Sequence, residues 1–233
     1  MRALFLHAFG ADRLSWAGTT PALSGVTAIT PDLPGHGNAV TSLDGVSVAA
    51  LAEAIRPDLG GAPAWFVGHS LGGAVALALA AAAPDLCRGL VLLAPLGLGK
   101  RADLAALNAY AGFETPEEMR GFLQSLVVDT RLIAPQFVDY ALAHLAKPGA
   151  REAAARIAVA LPAMAAEAAQ YVPAIAAAGL PVQVLWGTED PVAQPDHALI
   201  QRIGPLTEIA GAGHILHVEA MARVNRLLGE WIR

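Results

Sequence analysis

Short apolar runs rich in β-branched residues alternate along this chain with longer stretches of helical character. The run Leu90-Val91-Leu92-Leu93 is apolar throughout, which is typical of a strand buried on both faces. The alternation predicts an α/β fold, a mostly parallel sheet of about six strands covered by helices. A length of 233 residues fits one such domain. The predicted strands are residues 3–7, 26–30, 64–68, 89–93, 182–186 and 206–209, and the predicted core helices are residues 48–55, 71–83, 196–203 and 218–231.

Residues 97–178 interrupt this alternation, because they contain helical patterns and no convincing strand. Thr115, Pro116 and Glu118 form a typical helix start, with a capping threonine, a proline in the first turn and a capping-box glutamate. A helical insertion between parallel strands is most simply a lid over the carboxyl edge of the sheet, where ligands bind. We therefore predict an α/β core of residues 1–96 and 179–233 with a helical cap of residues 97–178. Its later helices are residues 135–147 and 150–169, the latter kinked or split at Pro162.

The motif Gly68-His69-Ser70-Leu71-Gly72 follows an apolar run directly and precedes a long helical run. This strand–turn–helix context is the one that a nucleophile elbow requires. The flanking glycines let the backbones pass closely, and the turn places Ser70 at a helix N-terminus, where a developing negative charge is favoured. The alternative is a glycine-rich packing turn in which Ser70 only caps a helix. We predict Ser70 as a catalytic nucleophile.

A serine nucleophile needs a base, and the base needs an acid to orient it. His214, in Gly211-Ala212-Gly213-His214, follows the last predicted strand, and Asp190 follows the preceding strand. The order Ser70, Asp190, His214 is the chain order of the triad in folds with such an elbow. Glu189 is the rival acid, because it is adjacent to Asp190 and equally anionic.

Charge that develops on a substrate carbonyl oxygen needs N–H donors placed in advance. The residue after the nucleophile, Leu71, offers one backbone N–H. The second is expected from the loop after the first strand, and we assign it to the backbone N–H of Phe9, whose ring should also line the pocket. His7, in the same loop, is expected to have a structural role.

Five motifs together resemble the α/β-hydrolase superfamily of serine hydrolases along essentially the whole chain. The resemblance implies an α/β-hydrolase fold and carboxylesterase-like activity. No Cys, His or Asp cluster has metal-ligand spacing and no phosphate-binding glycine loop is present, so we expect no cofactor or metal. Ala8 departs from the family pattern, in which glycine follows the histidine. The chain starts with the strand before His7, so the two leading strands of the full eight-stranded fold are expected to be missing. The motifs are Leu6-His7-Ala8-Phe9-Gly10, Asp32-Leu33-Pro34-Gly35-His36-Gly37, Gly68-His69-Ser70-Leu71-Gly72-Gly73, Trp186-Gly187-Thr188-Glu189-Asp190 and Gly211-Ala212-Gly213-His214.

A narrower resemblance links residues 92–99, the segment after them and residues 211–219 to the hydrolase-like domain of acetoin dehydrogenase dihydrolipoamide acyltransferase components. Those proteins carry a lipoyl domain. The only lysines here, Lys100 and Lys147, do not stand in a lipoyl-like setting, so we do not expect a swinging-arm acyltransferase. The serine at position 70 also excludes haloalkane dehalogenases and epoxide hydrolases of this superfamily, which place an aspartate there.

Charge and composition exclude several other classes. A net charge of −5 argues against a nucleic-acid partner, which is normally met by a basic face. No basic cluster suited to a membrane surface occurs, and the longest apolar run, residues 70–83, is too short to span a bilayer. Cys87 is the only cysteine and is expected to be a buried structural thiol. We expect a cytoplasmic monomer or homodimer.

The sequence thus predicts a serine hydrolase that cleaves an ester or related acyl bond of a small, largely apolar substrate. Thioesterase, lactonase and carbon–carbon hydrolase activities stay open. The alternatives are an acyltransferase, in which an alcohol or thiol captures the acyl group, and a ligand-binding homologue with little turnover. The predicted substrate contacts are Phe9, His69, Leu96, Phe113, Phe122, Phe137 and Tyr140, with Leu98, Leu104, Leu107, Tyr110, Leu126 and Met164 as further candidates.

Overall fold

The computed structural model describes residues 1–40, 43, 45–100 and 105–232, and this part of the chain contains eight strands. The predicted strands are present, and their ends differ from the prediction by at most two residues. The strands are β1 (Arg2–Leu6), β2 (Thr27–Ile29), β3 (Ala64–His69), β4 (Cys87–Leu93), β5 (Gly99–Lys100), β6 (Val182–Gly187), β7 (Gln194–Pro195) and β8 (Leu206–Ile209).

Six of these strands form one sheet in the order β2-β1-β3-β4-β6-β8, and every pairing within it is parallel. The predicted sheet of about six mostly parallel strands is therefore confirmed. The next strand after β1, β2, lies on one side of it, and the strand after that, β3, lies on its other side. The strand order thus reverses beside β1, and in open α/β sheets ligands bind outside the carboxyl ends of the strands at such a point.

The central strands are covered on both faces. All six residues of β3 are buried, and β4 is buried except at Arg88. These strands pair from Ala64 opposite Cys87 to His69 opposite Leu93, with a register shift between Ala64 and Trp65. Buried parallel strands of this kind explain why the alternation of polar and apolar residues is missing from their sequences.

Ten α-helices occur in the described residues, and five of them lie between β5 and β6. The capping box predicted at Thr115 and Glu118 is confirmed. The helices are α1 (Val48–Ile55), α2 (Leu71–Ala82), α3 (Ala105–Ala109), α4 (Pro116–Gln124), α5 (Pro135–Leu145), α6 (Ala150–Ala169), α7 (Val172–Ala178), α8 (His197–Ile200), α9 (Leu216–Glu219) and α10 (Met221–Trp231).

Three local predictions need correction. Helix α6 is not split, because its backbone remains helical through Pro162 while a buried stripe that includes Ile157 and Leu161 packs it in place. The predicted helix 218–231 is two helices, since Ala220 has a non-helical backbone between α9 and α10. The segment predicted to be all-helical also contains the short strand β5, which pairs antiparallel with β7.

The helical segment packs in two places. Buried residues of α6 join the main core beside the sheet, where α6 contacts α2. Helices α4 and α5 contact each other and form a second apolar cluster, which includes Met119, Phe122 and Val138. Phe9, from the loop after β1, packs against both clusters. No helix in the described ranges is long and apolar enough to cross a membrane.

Candidate active site

Ser70 stands at a sharp turn between β3 and α2. Its φ of 51° is a strained value for a residue other than glycine. The close approach of the neighbouring backbones requires the flanking glycines. A Cβ atom on Gly68 would lie 2.4 Å from the carbonyl oxygen of Gly72, and one on Gly72 would lie 2.2 Å from the carbonyl oxygen of Leu6. The turn therefore has the geometry of a nucleophile elbow.

Backbone hydrogen bonds hold this turn against β4 and the residues after it. The N–H of Ser70 donates to the carbonyl of Leu93 at 3.0 Å. The carbonyl of Ser70 accepts from the N–H of Leu96 at 2.9 Å and from Gly73 at 2.9 Å. Both the N–H and the carbonyl of Ser70 are therefore hydrogen-bonded, and these bonds help to hold its strained backbone conformation in place.

His214 and Asp190 lie together at the same edge of the sheet, after β8 and β6 respectively. Nδ1 of His214 lies 2.9 Å from Oδ2 of Asp190. The side chain of Asp190 is only 1% exposed. Its other oxygen accepts the backbone N–H groups of Val192, at 2.8 Å, and Ala193, at 3.2 Å. Glu189 is exposed, and the carboxylate that contacts the imidazole of His214 is that of Asp190.

His69 links the elbow to the loop of His214. Its Nε2 lies 2.9 Å from the backbone oxygen of His214, and its ring is 97% buried beside the rings of His214 and His217. Burial, together with the neighbouring histidines, keeps the pKa of His69 well below its usual value. The ring is therefore neutral, and Nε2–H donates to the carbonyl.

The loop after β1 is fixed by His7, which has the structural contacts expected of it. Nδ1–H of His7 donates to the carbonyl of Ala8 at 2.8 Å, and Nε2 accepts the N–H of Leu33 at 2.9 Å. Burial lowers the pKa of His7 to about 4, so the ring stays neutral and can accept.

The backbone N–H groups of Phe9 and Leu71, which the sequence predicts as oxyanion donors, have no backbone carbonyl partner in the described part of the chain. Among the residues that the structure describes, no carbonyl accepts the N–H of Phe9. Leu71 is the first residue of α2, so its N–H has no carbonyl partner within the helix. Both residues adjoin the cavity of Ser70, since Phe9 lines it and Leu71 follows Ser70 directly.

A cavity of about 640 Å³ opens over the elbow and is lined by Ser70 and His214. The lining also comes from the loop after β1 and from helices α4, α5 and α6. It is mostly apolar, and no described lysine or arginine is part of it. The predicted contacts that line it are Phe9, His69, Leu96, Leu107, Phe122, Leu126, Phe137 and Tyr140.

Other predicted contacts lie elsewhere. The ring of Phe113 is not part of the lining, because it packs against the rings of Tyr110 and Phe122, with centroids 6.4 and 5.6 Å away. Tyr110, Leu98 and Met164 are buried in the apolar clusters and do not line the cavity. Leu104 lies outside the described residues.

Several polar residues that line the cavity belong to no sequence motif and were not predicted. Asp12, His144 and His217 are the clearest of them. His217 stacks on Trp16, with ring centroids 4.6 Å apart, and neither of its ring nitrogens has a hydrogen-bond partner among the described residues. Burial lowers the pKa of His217 to about 3. In the described part of the chain, no group of three or more His, Cys, Asp or Glu side chains has an arrangement that would hold a metal ion.

Comparisons with known proteins identify the family of the chain. A family model described as "Alpha/beta hydrolase family" matches residues 3–227. The dihydrolipoyllysine-residue acetyltransferase component of the acetoin cleaving system of Cupriavidus necator is 29% identical over 97% of this chain, which spans 62% of that protein. A pimeloyl-[acyl-carrier protein] methyl ester esterase of Neisseria meningitidis is 30% identical over 97% of this chain and 91% of its own length.

The solved structures extend the likeness to the fold. A meta-cleavage product hydrolase from Pseudomonas fluorescens superposes with a TM-score of 0.84 at 23% identity, and the match covers 99% of this chain and 89% of that one. With the family model matching nearly the whole sequence, the protein belongs to the alpha/beta hydrolase family.

Proposed function

We propose that this protein is a serine hydrolase that cleaves an ester or related acyl bond through an acyl-enzyme on Ser70. One observation carries the proposal: Asp190 holds the imidazole of His214 at 2.9 Å, beside the cavity that Ser70 also lines. His214 is the base, Asp190 orients it, and the N–H groups of Phe9 and Leu71 receive the oxyanion.

The proposed reaction has two stages, acylation of Ser70 and hydrolysis of the acyl-enzyme. Oγ of Ser70 attacks the substrate carbonyl carbon while its proton passes to Nε2 of His214. In the tetrahedral intermediate, the bond between the former carbonyl carbon and the alcohol oxygen of the ester then breaks, and His214 gives the proton to the departing alcohol. In the second stage water attacks the acyl-enzyme, His214 takes a proton from that water, and Ser70 leaves with the proton returned to it.

The lining of the cavity supports a neutral, largely apolar acyl group. A substrate carboxylate would lose its hydration without gaining an ion pair, because the described lining contains no lysine or arginine. By contrast, burial of a hydrocarbon group against apolar side chains such as Leu96, Leu107 and Leu161 is favourable. Helices α3 to α7 are proposed to act as the lid over this cavity.

Acyl transfer is the second candidate function. It is favoured by the similarity to the acetyltransferase components of acetoin cleaving systems in Cupriavidus necator and Pseudomonas putida, each 29% identical. In that reaction an alcohol or thiol, instead of water, captures the same acyl-enzyme. The catalytic roles of Ser70, His214 and Asp190 would be unchanged.

A panel of p-nitrophenyl esters and acyl-thioesters of graded chain length tests the proposal. We expect hydrolysis by the wild type and labelling of Ser70 by a fluorophosphonate. Ser70→Ala should abolish labelling and lower kcat by about 10⁶-fold, as loss of a nucleophile does in triad enzymes. Ser125→Ala is the matched control, because the Ser125 hydroxyl only donates to the carbonyl of Phe122.

Labelling at another residue, or near-normal turnover by Ser70→Ala, would contradict the assignment of the nucleophile. Adding an alcohol or thiol acceptor separates the two candidate functions. Faster release of p-nitrophenol together with an acylated acceptor indicates transfer, whereas free acid as the only acyl product indicates hydrolysis.

A further inference from the structure

The loop that follows β1 carries a buried carboxylate. Asp12 is 6% exposed and comes three residues after Phe9, the proposed oxyanion donor. One of its oxygens accepts the backbone N–H of Leu14 at 2.7 Å. A buried carboxylate requires several hydrogen-bond donors, because burial removes its hydration. The remaining donors of Asp12 come from a different part of the fold.

These donors lie on α5. Tyr140 and His144 are four residues apart, so they occupy one face of that helix. The Tyr140 hydroxyl donates to Oδ2 of Asp12, and Nε2 of His144 lies 3.0 Å from the same oxygen. Burial and the neighbouring carboxylate raise the pKa of Tyr140, so its hydroxyl remains a donor.

A second hydrogen bond joins the same loop to the helical segment between β5 and β6. Tyr110 donates its hydroxyl to the carbonyl of Gly10 at 3.1 Å, and its ring packs against that of Phe9 with centroids 5.4 Å apart. Two of the residues around Phe9 are therefore hydrogen-bonded to the segment between β5 and β6.

We infer that Asp12 is a positioning residue, which joins the loop of Phe9 to α5 through Tyr140 and His144 and so fixes one oxyanion donor. The inference rests on the proposed function. Asp12 itself does not touch the reacting atoms. Without its bonds to α5, the loop keeps its fold but holds the Phe9 N–H less firmly, and stabilisation of the oxyanion falls.

The chain offers a matched control for this contact. The Tyr171 hydroxyl donates to the carboxylate of Glu167 at 3.1 Å, in a phenol–carboxylate pair that does not line the cavity. Tyr140→Phe and Tyr171→Phe therefore remove the same chemical group from two similar pairs. Only the first should affect the loop of Phe9.

Hydrolysis of p-nitrophenyl acetate is the kinetic test, because its small acyl group keeps contacts with α5 to a minimum. Tyr140→Phe and Asp12→Asn should each lower kcat about 10- to 100-fold, as a misplaced group does, and leave KM unchanged. His144→Gln, which keeps an N–H donor, should retain more activity than His144→Ala. Tyr171→Phe should match the wild type.

Hydrogen–deuterium exchange of residues 8–14 tests the tie without relying on activity. Exchange there should rise at least about fivefold in Tyr140→Phe and Asp12→Asn, since lost bonds make local opening easier, and should not change in Tyr171→Phe. Unaltered exchange in both variants, or a change confined to KM, would overturn the inference. A wild type that neither hydrolyses esters nor reacts with a fluorophosphonate would refute the proposed function instead, and the exchange experiment would still decide whether Asp12 fixes the loop.

Discussion

Nε2 of His69 lies 2.9 Å from the backbone oxygen of His214, so the residue before the proposed nucleophile bonds directly to the residue proposed as its base. His69 also lines the cavity, as the sequence predicted. The bond connects the end of β3 with the loop after β8, which belong to strands that do not pair with each other. It therefore ties the elbow of Ser70 to the loop that carries His214.

This bond gives the first prediction. His69→Phe fills a similar space without a donor, and it should lower kcat about fivefold because the base loop loses one hydrogen bond to the elbow, worth about 1 kcal/mol. His69→Gln keeps an N–H donor and should lose less. Steady-state kinetics with p-nitrophenyl esters measure both effects. Equal losses in the two variants would show that the ring, and not its hydrogen bond, is what matters.

The second prediction separates the two candidate acids. Asp190→Asn should lower kcat by about 10⁴-fold, because His214 loses the carboxylate that sets its tautomer. Glu189→Gln should change kcat less than about twofold, since that side chain is exposed and has no contact with the imidazole. Comparable losses in the two variants would contradict the role of Asp190.

Much of the site could be predicted because its signals are local. The elbow depends on adjacent glycines and a serine, and β3 and β4 are recognisable from their own apolar runs. Position after a strand predicted an acid at residue 189 or 190, and the contact of Asp190 with His214 agrees with the choice of Asp190. By contrast, Phe113 was expected in the pocket but packs on Tyr110 and Phe122, because helical spacing does not say which neighbour covers an aromatic ring.

The features that could not be predicted arise from tertiary contacts. Asp12 stands in no motif, and its partners on α5 are more than 120 residues away along the chain. The break at Ala220 has no local signal, since alanine is the best helix former. Helix α6 continues through Pro162 because burial of its apolar stripe offsets the lost backbone hydrogen bond.

The third prediction concerns stability at acidic pH. Burial depresses the pKa of His7 to about 4 and those of His36 and His217 to about 3, and that of His69 is also well below its usual value. In the unfolded chain these rings take up protons near pH 6.5. Between about pH 6.5 and pH 4 the unfolded state therefore binds more protons, so the free energy of unfolding should fall as the pH is lowered.

His217→Phe isolates one of these four rings. In this variant one fewer proton is taken up on unfolding at acidic pH. The free energy of unfolding should therefore change with pH by about 1.4 kcal/mol less per pH unit below pH 6. It also removes two unpartnered nitrogens, so it should not be destabilised at pH 7. Urea unfolding at pH 5, 6 and 7 measures the slope. His197→Gln is the control, since His197 is exposed, and identical slopes for His217→Phe and the wild type would contradict the argument.

The last prediction concerns the mouth of the cavity. Of the eight large apolar side chains exposed in the described residues, five also line the cavity: Leu14, Leu132, Phe137, Tyr140 and Met221. Exposed apolar surface that is continuous with a pocket favours a hydrocarbon chain lying across it. Phe137→Ala should therefore raise KM for p-nitrophenyl octanoate about tenfold, leave KM for the acetate unchanged, and barely alter the melting temperature.

Val159→Ala is the matched control for this experiment, because Val159 is 80% exposed on α6 and does not line the cavity. It should leave the KM of both esters unchanged. A similar rise in KM for octanoate in Val159→Ala would indicate adsorption of long esters to the surface in general. If Phe137→Ala shifted acetate and octanoate equally, the side chain would act on the reaction itself, and the mouth of the cavity would not be the place where chain length is recognised.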